Sequence, residues 1–377
     1  SLVGLISIFP TWLVHRPNRL VEGKGLHLWE FAATREFLLV VCLWLLCWVL
    51  GLLRSERLRG TARGVVSALL LVAVLAVAGR GGAVLRDGGS TAARVSLSTG
   101  FWLSIVSAYL LVFVARRRLS DYPLDRTLVT WLAPAGAVAL LLAGCLSDLS
   151  IVQELNSQDD RFQQELAQHF YLFGISIGIG TLLGIPLGIW ATRNRWAEKT
   201  IFWITNTAQT IPALAMFGLL MAPLAALTGT LPWLREAGIR SVGTTPAIIA
   251  LTTYSLLPIV RNTHASLRQI EASLLEVSRG VGMRPLDVFL RVELPLSAPV
   301  IVDGIRTAAV QTVGNAVLAA LVGAGGLGFF VFKGLGETAP DLILLGVLPT
   351  VALALLTDGL LRILHHLVTP AGLELQK

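Results

Sequence analysis

The sequence predicts an all-α integral membrane protein with about ten transmembrane helices. Of its 377 residues, 54% are hydrophobic and only 14% are charged, and the mean hydropathy is +0.73. Soluble domains carry about 25% charged residues, so this composition excludes soluble, disordered and disulfide-scaffold proteins. The apolar residues also fall in long runs, which must be helical because open strands leave backbone groups unsatisfied in lipid.

Ten apolar runs can be traced along the chain, and at roughly 20 residues per span they leave no room for a separate catalytic domain. They cover residues 2–14, 36–53, 64–79, 101–115, 128–146, 169–192, 200–227, 244–260, 300–322 and 342–364. The first run is short, is interrupted by Pro10 and lacks a preceding basic stretch. We therefore interpret it as a truncated first span in preference to a cleaved signal sequence.

A polar, acidic stretch at residues 147–168 divides the chain. We predict an N-terminal transmembrane region of about five helices at 1–146, an exposed extracytoplasmic connector at 147–168, a second block of five helices at 169–368 and a cytoplasmic tail at 369–377. With the N-terminus inside, 18 of the 30 Lys and Arg residues lie in inside segments and 11 in outside segments. This bias supports the orientation, because basic residues accumulate on the cytoplasmic side.

The inside segment 261–297 is too polar to span and too regular for a loose loop. Apolar residues at Leu274, Leu275, Val277 and Val281 predict a short helix with one apolar side. Gly282 ends this helix. A second short helix over 286–292 begins after Pro285 and stops before Pro295. Two short, angled helices predict a rigid cytoplasmic knob that receives force from a soluble motor.

The same segment resembles the EAA signature of permease subunits of ATP-binding-cassette (ABC) importers. The matching residues are Glu276, Ser278, Gly282, Leu294 and Pro295, at the family's spacing. Val277 and Ser278 replace two alanines of the pattern. The resemblance implies that 169–368 is a type I (MetI-like) permease core and that 261–297 is the coupling segment, which docks on the ATPase. The alternative is an ordinary amphipathic interfacial loop.

Further stretches resemble the glycine betaine/choline/carnitine branch, the osmoprotectant importers. They lie at 209–212, 257–263, 303–306 and 323–328, and the N-terminal helices are similar to the longer YehY-type subgroup. The resemblance implies a bacterial inner-membrane permease for a compatible solute. Its implied partners are a cytoplasmic ATPase dimer that carries ATP and Mg, a second permease (the same chain or a related one), a periplasmic or lipid-anchored solute-binding protein, and membrane lipids.

Polar residues within spans are candidates for the solute pathway, because polar groups at membrane depth are costly. The candidates are Gln209, Thr210, Tyr254, Gln311 and Asn315. Gln311 and Asn315 are four residues apart and share one helix face. We expect them either to line a passage or to form hydrogen bonds between helices. Tyr254 is the aromatic candidate for a quaternary ammonium.

Glycine patterns indicate close packing and a turn. Gly174 and Gly178, and then Gly180, Gly184 and Gly188, lie at four-residue steps, which favours close packing within one subunit over a dimer contact. So many glycines near 323–328 do not support a helix. We expect an outer-facing turn formed by Gly323, Gly325, Gly326 and Gly328, acting either as part of the gate or as a plain turn.

Other features narrow the function class. Asp303 with Arg306, and Asp358 with Arg362, have helical ion-pair spacing and are interpreted as anchors rather than proton relays. No phosphate-binding loop or metal-ligand cluster is present in the sequence, so no catalytic or metal site is predicted, and the net charge of +7 reflects inside loops, not nucleic-acid binding. The alternatives are a permease for amino acids or another small organic solute, an ion-coupled secondary transporter and, third, a membrane enzyme.

Overall fold

The computed structural model describes residues 2–18, 21–53, 55–86 and 93–370. Most of the predicted cytoplasmic tail, 371–377, lies outside the described residues. The chain divides into two compact units, Ser1–Gln158 with Ala339–Asp341, and Asp159–Thr338 with Leu342–Lys377. Each unit is described by itself.

The first unit combines long helices with a small sheet. Its elements are α1 (Leu2–Ile6), β1 (Leu13–Arg16), β2 (Lys24–Leu26), α2 (Leu28–Phe31), α3 (Thr34–Leu50), α4 (Glu56–Arg86), β3 (Arg94–Leu97), α5 (Thr99–Arg118), α6 (Pro123–Leu142) and α7 (Ser150–Ser157). Buried Trp12, Trp44, Leu70 and Phe101 belong to its main core. Large side chains thus fill the space between helices that are otherwise rich in small residues.

The prediction that residues 2–14 are a truncated span is wrong. They form the five-residue helix α1 and the start of β1, the central strand of an antiparallel sheet ordered β2-β1-β3. Leu13 pairs with Leu26 on one side and with Leu97 on the other. The sequence gives no sign of this sheet, because its strands are only three or four residues long and their partners are distant in the chain.

The second unit is a helical bundle. Its elements are α8 (Asp159–Arg193), α9 (Arg195–Thr210), α10 (Ala213–Thr230), α11 (Trp233–Glu236), α12 (Thr244–Arg268), α13 (Ala272–Gly280), α14 (Pro285–Val288), a π-helix (Phe289–Glu293), α15 (Leu294–Ala316), a 3₁₀-helix (Val317–Val322), α16 (Gly328–Gly336) and α17 (Pro340–Val368). Helix α12 lies at the centre, packed against α8 on one side and α15 on the other.

The described chain contains six helices that are long and apolar enough to cross a membrane. They are α4, α5, α6, α8, α10 and α17. A predominantly helical, multi-pass membrane fold is therefore confirmed, with the small N-terminal sheet as the departure from all-α, whereas the total of ten spans stays a prediction. The four runs without such a helix are 2–14, 36–53, 244–260 and 300–322, and the last three of these lie on α3, α12 and α15.

The predicted connector at 147–168 is helical and largely exposed or half-buried, and its extracytoplasmic position stays a prediction. Residues 150–157 form α7, and residues 159–168 are the first three turns of α8. Two carboxylate residues of this stretch, Glu154 and Glu165, are buried. Polar residues are expected to contact water, but each of these carboxylates is satisfied by ion pairs and hydrogen bonds within the protein.

The glycine steps of α8 have two different surroundings. A Cβ at Gly180, Gly184 or Gly188 would lie within 3.0 Å of side-chain atoms of α12, so these glycines allow the two backbones to approach closely. This agrees with packing inside one subunit. Gly174 and Gly178 have no atom of the described chain within 4 Å of such a Cβ.

Candidate functional site

The predicted coupling segment begins with a short helix that ends in a glycine turn. Helix α13 stops at Gly280, and Gly282 has a φ of +86°, the left-handed region that glycine adopts without strain. The Met283 N–H donates to Ser278 O (3.2 Å) and the Gly282 N–H donates to Arg279 O (2.9 Å). This is the Schellman arrangement, and it fixes the angle at which α14 leaves α13.

The exposed surface of α13, α14 and the turn between them is apolar, although the segment as a whole is too polar to span a membrane. Val277, Val281 and Leu286 are 63%, 74% and 67% exposed. Glu276 is exposed beside them, whereas Ser278 is buried and donates to Leu274 O at 2.7 Å. An exposed apolar patch rimmed by charge is typical of a surface that binds another protein.

The prediction that Pro295 stops a second short helix is wrong. The chain runs from α14 through the π-helix into α15, and Pro295 lies in the first turn of α15. The Leu294 N–H donates to Phe289 O, five residues back, so the π-turn absorbs the register change that the proline requires. The coupling segment is consequently continuous with α15, which extends for about 35 Å.

Two sets of ion pairs that the sequence did not reveal connect the coupling segment to α8 and α12 to α9. Glu293, 6% exposed in its side chain, forms an ion pair with Arg193 at the end of α8. On α9, Glu198 accepts from Arg268 at 3.0 Å and lies 3.5 Å from His264 Nε2. Burial lowers the pKa of His264, and the Glu198 carboxylate opposes that shift. The partners are 100 and about 70 residues apart, so no local pattern predicts them.

The pathway candidates Gln209 and Tyr254 support the break between α9 and α10. Gln209 Nε2 donates to Tyr254 O at 2.6 Å, and the Tyr254 hydroxyl donates to Ile211 O. Ile211 directly follows Thr210, at which α9 ends. Because the Tyr254 ring is only 4% exposed, it is not an open aromatic face for a solute, contrary to the prediction.

The remaining pathway candidates present polar groups at the surface of the second unit. Thr210 is exposed, and its hydroxyl donates to Thr207 O at 2.7 Å. Gln311 is exposed and Asn315 is half-buried on the same face of α15. Neither amide bonds to another helix in the part of the chain described. A place for this pair along the passage therefore stays a prediction.

The glycine stretch forms a turn, as predicted, and α8 holds it. Gly323, Gly325 and Gly326 have φ values of +74°, +74° and +86°. A carboxylate oxygen of Glu165 accepts from the Gly326 N–H at 2.6 Å, and Gln168 Nε2 donates to Ala324 O at 2.9 Å.

His169 of α8 also bonds to the glycine turn. Its Nδ1 accepts from the Leu327 N–H at 3.3 Å, and its Nε2 lies 3.1 Å from Val313 O. The two contacts together require the neutral tautomer with its proton on Nε2. Gly328 begins α16, where a Cβ would lie 1.8 Å from Val317 O, so only glycine fits.

The two predicted helical ion pairs are joined into one cluster. Arg306 bonds to both Asp303 and Asp358, each at 2.8 Å, and Asp358 also accepts from Arg362 at 2.8 Å. His365 Nδ1 lies 3.3 Å from Asp303. The cluster ties α15 to α17, which is consistent with an anchoring role.

Two known protein families match parts of this chain. Residues 1–152 match the family described as the N-terminal domain of the ABC transporter permease YehY, and residues 184–370 match the family described as inner membrane components of binding-protein-dependent transport systems.

Curated relatives match part of this chain over nearly their own whole length. The choline transport system permease protein OpuBB of Bacillus subtilis (strain 168) is 37% identical over 224 residues, which is 59% of this chain and 96% of that protein. The osmoprotectant import permease protein OsmW of Salmonella typhimurium (strain LT2) is 37% identical over 207 residues, 55% of this chain and 91% of that protein. The glycine betaine/carnitine/choline transport system permease protein OpuCB of Bacillus subtilis is 35% identical over 207 residues, 55% and 88%.

Proposed function

This chain belongs to the family of inner-membrane permease subunits of osmoprotectant-type ABC importers, and from that premise we propose that it moves a quaternary-ammonium compatible solute into the cell. Members of this family act with an ATPase and a substrate-binding protein, and ATP hydrolysis belongs to the separate ATPase. The solute class is supported by the names of relatives that transport choline, carnitine and glycine betaine.

The coupling segment is the proposed docking site for the ATPase. The exposed apolar side chains of Val277, Val281 and Leu286 match what a partner groove buries. Because the segment continues into α15 and is tied to α8 through Glu293, force applied to it reaches two helices of the bundle. A dimer of the ATPase, carrying ATP and Mg, is the proposed motor.

The pore itself requires a second permease, either another copy or a related chain. A small and polar surface on α8 and α15 includes exposed Gln311 and three glycines at which an added Cβ would meet no neighbour among the described residues, namely Gly174, Gly178 and Gly314. Small and polar surfaces are poor lipid contacts and suit a passage or a helix partner. A periplasmic or lipid-anchored binding protein is the proposed source of tight solute recognition.

Reconstitution tests this function directly. The chain is co-purified with its ATPase and binding protein, placed in proteoliposomes and assayed for ATP-dependent uptake of radiolabelled glycine betaine, choline and carnitine, with methionine and histidine for comparison. We expect uptake of at least one quaternary-ammonium solute and none of the amino acids. Uptake of an amino acid alone would replace the solute assignment, and uptake driven by an ion gradient without ATP would contradict the coupling.

A further inference from the structure

Helix α9 has a polar and aromatic face where lipid contact would require an apolar one. Its buried residues, Ala197, Ile201, Thr205 and Ala208, lie on one side. The opposite side carries exposed residues at a helical spacing, namely Trp196, Lys199, Trp203, Asn206, Thr207 and Thr210. Trp203 is 69% exposed.

This face belongs to the run 200–227, which the sequence predicts to span the membrane. Trp203 is about 12 Å along the helix from Arg195, at which α9 begins, and Thr210 immediately precedes the break at Ile211. Polar residues are costly in contact with lipid, so exposed Asn206, Thr207 and Thr210 suit a water-filled passage better than a lipid contact. Interrupted helices also mark solute sites in membrane transporters.

A guanidinium lies beside the same face. Arg261 Nη2 of α12 donates to Asn206 Oδ1 at 3.0 Å. Asn206 is one turn from Trp203 on the same face of α9. Neighbouring Arg268 bonds to Glu198, whereas Arg261 has no carboxylate partner among the described residues. An arginine with an exposed side chain and no counter-ion is available to bind an anion.

We propose that Trp203, Asn206 and Arg261 form a weak solute site at the inner part of the passage. The Trp203 ring receives the quaternary ammonium, because aromatic faces attract such cations. The Arg261 guanidinium, oriented by Asn206, receives the carboxylate of the same zwitterion. This inference rests on the proposed function and adds to it the residues that contact the solute in this chain.

Glycine betaine carries an ammonium and a carboxylate, so the Trp203 and Arg261 contacts can be tested separately. Saturation-transfer NMR is measured on the methyl protons of glycine betaine and choline, with the permease–ATPase complex in nanodiscs and without binding protein. Trp203→Leu should reduce the transfer for both solutes by roughly tenfold. Arg261→Gln should reduce it by a similar factor for glycine betaine and leave choline unchanged, because choline has no carboxylate.

Matched variants separate contact from structural damage. Trp196→Leu removes a tryptophan from the same face, but the Lys199 ammonium already lies 6.0 Å from that ring, so no loss is expected. Arg195→Gln removes an exposed arginine of the same helix as a charge control. Trp203→Phe keeps an aromatic face and should retain part of the signal for both solutes.

The outcomes also separate this site from the transport assignment. Equal loss of both solutes in Arg261→Gln, or unchanged transfer in Trp203→Leu, would overturn the site while ATP-driven betaine uptake by the unaltered complex left the proposed function standing. Absence of any quaternary-ammonium uptake by the unaltered complex would overturn both. Selective loss of glycine betaine in Arg261→Gln, with both controls unchanged, would support the site.

Discussion

Glu165 accepts a hydrogen bond from the backbone N–H of Gly326, although 161 residues separate them. The contact joins the start of α8 to the glycine turn that follows α15. At the opposite end of the same two helices, Arg193 pairs with Glu293 next to the coupling segment. Helices α8 and α15 are thus joined near both ends, and we expect these contacts to transmit movement of the coupling segment to the turn.

Glu165→Ala is expected to loosen the glycine turn. The buried carboxylate accepts a backbone hydrogen bond and pairs with Arg161, and losing a charged hydrogen bond costs about 1.5–3 kcal/mol. Glu165→Gln keeps an acceptor and should recover much of this loss. Thermal unfolding in detergent and uptake are measured together. Equal behaviour of the Ala and Gln variants would exclude a role for the Gly326 bond.

Gly282→Leu is expected to give an expressed but transport-deficient protein with weakened ATPase association. A left-handed φ costs a non-glycine residue about 1–2 kcal/mol, and no neighbouring atom of the described residues lies within 4 Å of the added Cβ. Gly282→Ala carries the same backbone cost with little bulk, so a milder defect in Ala than in Leu would locate the clash on the partner.

Gly280→Ala provides the matched control for Gly282. Gly280 is helical and exposed, and a Cβ added there would also have no neighbouring atom of the described residues within 4 Å. Its φ, however, is not positive. Uptake and co-purification of the ATPase should therefore be unchanged. Normal transport by Gly282→Leu at normal expression would remove the coupling assignment from this segment.

Arg193→Gln is expected to destabilise the protein more than Glu293→Gln does. Removing Arg193 leaves the buried Glu293 carboxylate without its ion partner, which costs about 3 kcal/mol, whereas Glu293→Gln removes the buried charge itself. The double variant should resemble Glu293→Gln. Unfolding temperatures of the three purified variants decide this, and an Arg193→Gln protein as stable as the unaltered one would show that the pair is not structural.

Tyr254→Phe is expected to weaken the break between α9 and α10. The Ile211 carbonyl loses its donor, at a cost of about 1–3 kcal/mol where it stays dry. Tyr171→Phe removes the same hydroxyl from an exposed tyrosine and serves as the control. A lower unfolding temperature for Tyr254→Phe alone is the expected result, and equal stability of the two variants would contradict it.

A cysteine at Val277 should react with a membrane-impermeant thiol reagent only from the cytoplasmic side. Val277 is 63% exposed, whereas Ser278 is buried and unsuitable for labelling. Cys42 and Cys145, which are exposed, are first replaced by serine. Gln163→Cys at the exposed start of α8 should react only from outside. Labelling of Val277→Cys in intact cells would reverse the predicted orientation.

Much of the architecture was determined by sequence alone, because it depends on local patterns. Continuous apolar runs predict helices in lipid, and the spacing of Glu276, Gly282 and Pro295 indicates the coupling segment without any long-range contact. Gly282, Gly323, Gly325 and Gly326 were likewise recognised as turn residues, and all four have positive φ values.

Tertiary structure alone decided which polar residues are structural and which face open space. The sequence indicates Tyr254 as a solute contact, but its hydroxyl bonds to Ile211 and the residue is buried. No sequence pattern indicates Trp203, which is 69% exposed and lies one helical turn from Asn206, the partner of Arg261. The N-terminal sheet and the Glu165–Gly326 contact were missed for the same reason: both join residues far apart in the chain, and no local periodicity records such pairings.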